Sequence, residues 1–296
     1  MANAIDRFVH NGDSVMIEGF THLICFAAGH EIIRQEKRDL TLCRLTPDLI
    51  YDQIIGAGCA KKVVFGWAGN PGVGPLYAFR RAVEKNIPRP LEVEEYSHAG
   101  MVARIMAGAA NLPFFPLKNY MGSNLPDVNP SIRSVTCPYT GTRLAAVPAL
   151  KPEVAIIHTQ RADELGNAQA WGLLGVQKET AFAANHVIIV TEELVDESLF
   201  RSDPNRTLIP GIIVEAVVVE PFGCHPSYVQ GYYDRDNSMY IDWAGISKDK
   251  EKFDEYLQEW IFGVRDRAEY VKRLGKAKIE DLKAELFMSE PVNYGY

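Results

Sequence analysis

The sequence predicts an α/β fold: an open, mostly parallel sheet with helices on both faces and a helical C-terminal tail. Three observations carry that expectation. Strand-like and helix-like patterns alternate through most of the 296 residues. The strand-like runs are short, apolar and rich in β-branched residues, as in strands buried on both faces. Turns rich in glycine and polar residues follow several of them, where a parallel sheet places its βα connections.

The first strand is Val15-Met16-Ile17, entered through an Asn11-Gly12-Asp13 turn and left through Glu18-Gly19-Phe20-Thr21. Ligands of open parallel sheets bind beyond the carboxyl ends of strands, so this exit is a candidate site. Gly19 carries no Cβ and lets a ligand approach the backbone closely. A helical pattern follows over 26–35. Residues 39–42 read as a strand and 48–55 as a helix. Residues 63–65 are a strand, and 76–84 a helix opened by Pro75, a favoured first helical residue. Residues 91–95 alternate as a strand does, and 101–110 are helical until Pro113-Phe114-Phe115-Pro116 interrupts the pattern. Further strands are predicted at 154–158, 187–190 and 212–219. The tail reads as helices over 249–262, 265–274 and 279–286, the first with Phe253, Tyr256, Leu257 and Trp260 on one face. Residues 1–245 are thus expected to form an α/β domain, and 246–296 a helical extension packed on that domain or on a partner.

A composition of 47% hydrophobic and 23% charged residues supplies a large core. The net charge of -7 argues against a nucleic-acid-binding surface. The N-terminal residues lack the basic segment and apolar run of a signal peptide. No apolar run is long enough to span a membrane, the best candidate being broken by Glu215. A cytoplasmic protein is expected. Cysteines fall at 25, 43, 59, 137 and 224, an odd count with no C-x-x-C pair. That pattern argues against structural disulfides and zinc, and for reduced thiols.

Four later loops offer polar groups at strand ends. Residues 66–75, with Asn70 and Gly72, run from a buried strand into a helix, and their amides could cradle an anion. A plain βα turn is the alternative. Tyr96-Ser97-His98-Ala99-Gly100 places Ser97 as a helix N-cap and His98 in the first turn, facing the same rim. The others are Met121-Gly122-Ser123-Asn124-Leu125 and Pro221-Phe222-Gly223-Cys224-His225-Pro226-Ser227. Glu192-Glu193 reads as a pair of sheet-end charges, since neighbours on an extended chain point opposite ways. The scattered histidines and the absence of H-E-x-x-H argue against a metal site. No G-x-S-x-G elbow is present.

Taken together, these segments resemble the α (A) subunit of family I coenzyme A transferases, nearest to that of the glutaconate CoA-transferase type. The likeness runs from about residue 5 to 274. It is carried by Asn11-Gly12 with Val15-Met16-Ile17-Glu18-Gly19-Phe20-Thr21, by residues 91–113, by 147–158 and by Asp163-Glu164-Leu165-Gly166-Asn167. His225-Pro226-Ser227 with residues 231–237 completes it. The resemblance implies a CoA-transferase domain over 1–245 that exchanges CoA between a short-chain or dicarboxylic acyl-CoA and a carboxylate acceptor. It further implies a ping-pong route through a glutamate supplied by a β subunit, in a heterodimer or heterotetramer, with this chain inactive alone. The coenzyme A thioester is a substrate, and no bound cofactor, nucleic acid or membrane is implied. Glu18, Gly19, Phe20, Asn70, Gly72, Ser97, Gly122 and Ser123 would bind substrate on the side facing the partner. His98 would donate to the thioester oxyanion or hold the acceptor. Two positions depart from the family pattern. Glu18 replaces the first glycine of Gly-Gly-Phe, and His98 stands where transferases usually have glutamine and ring-cleaving CoA-thioester hydrolases have glutamate. The alternative is therefore a lyase or C–C hydrolase, of decarboxylase or ring-cleaving type, on the same scaffold.

Overall fold

A computed structural model of the protein describes residues 1–120 and 122–284. Its strands are β1 (Ser14–Glu18), β2 (Leu40–Arg44), β3 (Ala60–Phe65), β4 (Glu92–Glu95), β5 (Phe114–Leu117) and β6 (Arg133–Thr136). They continue with β7 (Arg143–Pro148), β8 (Val154–Ala162), β9 (Ala168–Gln169), β10 (His186–Leu194) and β11 (Ala216–Val219). The first helices are α1 (Ala2–Phe8), α2 (Phe26–Arg34), α3 (Leu49–Gly56), α4 (Tyr77–Lys85), α5 (His98–Ala109) and α6 (Leu125–Val128). The later ones are α7 (Gln177–Ala183), α8 (Glu197–Ser202), α9 (Asn237–Lys248), α10 (Lys250–Leu257), α11 (Arg267–Leu274) and α12 (Lys276–Leu282).

The main sheet has the order β11-β10-β8-β1-β2-β3-β4, and every pair along that path is parallel. Its one antiparallel member is the short β9, paired to β8. The apolar run in β1 follows from this position. Side chains alternate between faces, so Val15 and Ile17 enter one core while Met16 enters another, and all three are fully buried. Each such burial stabilises the fold by about 1.5–3 kcal/mol. β8 repeats the device, with Val154 and Ile156 on one side and Ala155 and Ile157 on the other. Helices cover both faces, as the alternating pattern predicts.

The C-terminal helices dock on α3. Trp243 of α9 is fully buried and donates its indole N–H to Asp52 Oδ2 at 2.9 Å. Phe253 of α10 presses on Gly56, where a Cβ would stand 2.2 Å from its ring. The amphipathic stripe expected over 249–262 is therefore a packing face. α10 passes into a π-helical turn at Gln258–Phe262.

Several expectations need correction. Residues 212–219 are not one strand buried on both faces. Gly211–Ile213 form a 3-10 turn, held by the Gly211 N–H on Asn167 Oδ1 at 3.0 Å, and only Ala216–Val219 pair, at the sheet edge. Pro75 lies outside α4, before its N-cap Leu76. Residues 114–117 do not merely break a helix. They form β5 of a separate antiparallel sheet of order β5-β7-β6, none of whose strands the sequence pattern predicts. α1, α7 and α9 are likewise additions to the predicted elements. The expected helix 279–286 falls in α12, which ends at Leu282, and its positions 285–286 lie outside the described residues, as do 121 and the extension beyond 284.

Candidate functional site

Strand order reverses at β1. The chain builds outward through β2, β3 and β4 on one side and through β8, β10 and β11 on the other. The carboxyl ends of β1 and β8 therefore flank a topological switch point, the position where open α/β sheets bind ligands.

Glu18 ends β1 at this point but does not face the opening. Its side chain is buried, and Oε1 accepts from the Val176 N–H at 3.3 Å. Gly175 lies directly over it, since a Cβ there would stand 2.8 Å from Oε1. Oε2 has no hydrogen-bond partner among the described residues. Burial raises the Glu18 pKa from 4.5 to about 7, and the Arg44 guanidinium offsets only part of that rise. Arg44 is itself fully buried. It pairs with Asp48 Oδ1 at 3.0 Å and donates to Gly19 O at 2.6 Å. One buried cation thus serves two buried carboxyls and also pins the strand exit.

Gly19 is required sterically. A Cβ there would lie 2.7 Å from the carbonyl oxygens of His22 and Leu23. Phe20 follows in a tight fold-back that bridges to His22. Thr21 and Leu23 adopt positive φ, and the Thr21 carbonyl accepts from Ser227 Oγ at 2.9 Å. His22 is fully buried between two loops. Nδ1 lies 3.2 Å from Leu173 O and Nε2 accepts from the Gln230 N–H at 3.0 Å. Those partners require the neutral tautomer with its proton on Nδ1. Burial pushes the His22 pKa down to about 4.

His98 opens α5 at the carboxyl end of β4 and is exposed. Its Nε2 lies 2.8 Å from Thr46 Oγ1, which follows β2. The ring therefore leans back across β3 toward the sheet centre, and it crosses at Gly66, where a Cβ would approach the His98 backbone N to 3.0 Å. Nδ1 has no hydrogen-bond partner among the described residues, so one ring nitrogen is free to meet a substrate. Ser97 caps α5 by accepting from the Gly100 N–H at 3.0 Å. It also donates to Tyr120 OH at 3.1 Å. That contact ties the loop of Gly122 and Ser123 to the same corner. Gly122 has φ +81° with open space around it, and Ser123 Oγ accepts from the Leu125 N–H at 3.1 Å. Asn70 points inward instead, donating to Tyr240 O at 2.6 Å. Gly72 supplies the left-handed residue of the exposed turn beyond it, at φ +77°.

The fold thus gathers His98, Ser97, Gly122 and Ser123 at one corner of the rim and Gly19 and Phe20 at its centre. Glu18 and Asn70 lie beneath it. Trp67, Val73, Leu173 and Leu174 are exposed in the neighbouring loops, so the rim is open and apolar in part. This arrangement can hold an acyl group against loop backbone and present an imidazole to it.

Sequence reading missed Arg44, Asp48, Thr46 and His22, whose roles depend on partners far along the chain. It also missed the use of Glu192. Glu192 and Glu193 do point to opposite faces. Glu192 is buried, however, taking His158 Nε2 at 2.8 Å, Tyr233 OH at 2.6 Å and the Phe222 N–H at 2.8 Å. Cys224 joins this group, with its ligand-type atom within 4.8 Å of those of His158 and Glu192. Both Glu192 oxygens are already engaged, so the group is a satisfied buried network that locks β8 and β10 to the loop after β11.

The family model described as Coenzyme A transferase matches residues 1–220. The α (A) subunit of the 3-oxoadipate CoA-transferase of Pseudomonas knackmussii is 50% identical over 278 residues, covering 94% of this chain and 98% of its own. The α (A) subunit of the glutaconate CoA-transferase of Acidaminococcus fermentans is 33% identical over 301 residues, covering 96% and 93%. The crystal structure of glutaconate coenzyme A-transferase from Acidaminococcus fermentans superposes with a TM-score of 0.91, over 96% of this chain and 95% of that one. The expected likeness to glutaconate-type subunits holds, and the 3-oxoadipate relative shares more of the sequence.

Proposed function

The chain belongs to the coenzyme A transferase family, and from that premise we propose that it is the α subunit of a heteromeric CoA-transferase acting on a dicarboxylic acyl-CoA. One observation carries this reading. The α (A) subunit of a CoA-transferase matches at 50% identity over nearly the whole of both chains, so the fold and the rim loops correspond together. The 3-oxoadipate and glutaconate relatives name dicarboxylic substrates, which supports a dicarboxylic acid as the acyl group or the acceptor here.

The acyl group would sit over Gly19 and Phe20, with Ser97, Gly122 and Ser123 bounding the corner beneath His98. His98 would donate from its free ring nitrogen to the oxyanion that forms when the thioester carbonyl is attacked, with Thr46 fixing the ring. The attacking glutamate would reach over the open rim from the β subunit, forming the acyl anhydride and then the glutamyl-CoA thioester. Asn70 and Gly72 would shape the rim loop rather than touch substrate. Residues 1–245 would act as the transferase domain and the segment from 246 as a helical extension on it. Among the described residues, no helix is long and apolar enough to cross a membrane, which supports a cytoplasmic αβ pair that may assemble further as a heterotetramer.

Co-expression with the neighbouring β-like gene product tests this. The complex is expected to exchange CoA between an acyl-CoA and isotopically labelled 3-oxoadipate or glutaconate, and neither chain by itself is. A folded complex that exchanges CoA with neither acid refutes the reading. Release of carbon dioxide or hydrolysis without exchange would favour the lyase or hydrolase alternative.

A further inference from the structure

The small antiparallel sheet has apolar residues on both faces. Phe115, Leu117, Ala145 and Val147 point inward and pack on the core. The register puts Phe114, Pro116, Val135, Leu144, Ala146 and Pro148 on the other face, with Arg133 among them. An antiparallel sheet that meets water on one side ordinarily carries polar residues there. Here that side holds a groove of about 500 Å³, with Phe114 exposed at one end and Arg133 within it.

The charge of this lobe opposes that of the whole chain. Residues 111–148 contain Lys118, Arg133 and Arg143 against the single acid Asp127, in a protein of net charge -7. Among the described residues none of the three cations is in an ion pair. Arg143 donates only to Ser134 Oγ, at 3.2 Å. An exposed aromatic ring, a free guanidinium and the hydroxyls of Ser131 and Ser134 in one groove suit a purine stacked beside a phosphate.

The spacing fits as well. Arg133 pairs with Ala146 and Phe114 with Pro148 on the shared strand β7. Two strand spacings and two residues separate the Cα atoms of Phe114 and Arg133, about 12 Å. β5 runs from Phe114 toward Tyr120, whose hydroxyl touches Ser97 at the rim. Six extended residues span about 20 Å, a gap that an extended phosphopantetheine arm bridges. We propose that this groove binds the 3′-phosphoadenosine diphosphate end of the coenzyme A thioester while its acyl end reaches the rim by His98. The proposal rests on the CoA-transferase reading above.

The test is steady-state kinetics on the assembled two-subunit enzyme, with adenosine 3′,5′-bisphosphate as the probe. Arg133→Glu is expected to raise KM for the acyl-CoA about tenfold or more, the loss expected for a charge-assisted contact. Arg133→Gln should fall between, and the KM of the carboxylate acceptor, which carries no nucleotide, should stay put. The bisphosphate should compete with acyl-CoA in the wild type and lose that competition in Arg133→Glu. An unchanged KM for acyl-CoA in Arg133→Glu overturns the proposal. So does failure of that variant to assemble on size exclusion, which assigns the face to the partner chain. A wild-type complex that binds the bisphosphate but transfers no CoA refutes the transferase reading and leaves the nucleotide groove standing.

Discussion

Replacing Glu18 with glutamine should remove a pH dependence from the stability of this protein. Glu18 is buried with Asp48 around one guanidinium, and Asp48 holds the direct ion pair with Arg44 at 3.0 Å. The remaining carboxyl is left to desolvation, which raises its pKa from 4.5 to about 7. An acid with a raised pKa in the fold binds its proton more tightly there than in the unfolded chain. Its stabilising contribution is complete below about pH 4.5 and is lost as pH climbs through about 7. At about 1.4 kcal/mol per pH unit, the wild type forfeits about 3 kcal/mol over that range. Glutamine does not titrate, so the stability of Glu18→Gln relative to wild type should rise by about 3 kcal/mol from pH 4.5 to pH 8. Any constant offset from placing an amide N–H beside Gly175 cancels in that difference. Urea unfolding followed by tryptophan fluorescence, at one fixed protein concentration across this range, measures it. Parallel stability curves for the two proteins would refute the assignment of a buried, proton-holding Glu18.

Three further outcomes are expected. Gly19→Ala should cost about 2 kcal/mol or more, because the nearest atoms to its Cβ are backbone oxygens at 2.7 Å; an unchanged urea midpoint would show that the turn relaxes freely. Trp243→Phe keeps the aromatic volume but strips the indole donor from Asp52, whose pKa burial already raises to about 6. It should cost about 1–3 kcal/mol, more at pH 8 than at pH 5, since losing the donor raises that pKa further. Thermal melts at the two pH values check this, and an equal cost at both counts against it. Thr46→Val keeps its shape and releases His98. It should lower kcat and move the pH–rate profile without changing the melting temperature; a profile identical to wild type removes His98 from the reaction.

The main sheet was legible because a strand buried on both faces has little choice but an apolar, β-branched run, and β1, β3, β8 and β10 are written that way. β5, β6 and β7 were not. β5 contains Pro116 and is preceded by Pro113, residues that argue against a strand except at an edge, and β5 is the edge of its sheet. β6 reads Arg133-Ser134-Val135-Thr136, too polar to stand out, and is the opposite edge. β11 looked like a long core strand because Ile212 and Ile213 precede it, yet Ile212 is 92% exposed on a turn. At the site, Ser97 was legible as a cap because its hydrogen bond is local. Thr46 was not, because the contact with His98 joins residues 52 positions apart.

The same distinction changes the meaning of Glu18. As a sequence feature it stands at the mouth of an anion site in place of a glycine, where a carboxylate would repel the anionic acceptor. That inference assumes the side chain faces the mouth. Its orientation is decided by Val176, 158 positions away, whose N–H takes one carboxyl oxygen while Gly175 closes over it. Burial removes the charge from the rim geometrically, and the raised pKa leaves much of it protonated near neutrality. Neither effect excludes a dicarboxylic substrate. The departure from Gly-Gly-Phe then reads as a change of packing: a larger side chain at position 18 fills the space under the 173–176 loop and ties that loop to β1. The loop carries the exposed Leu173 and Leu174 and accepts the His22 contact, so the acid supports the rim from beneath. On this argument the chemistry peculiar to this chain belongs to His98, whose side chain alone among the two departures is open to a substrate.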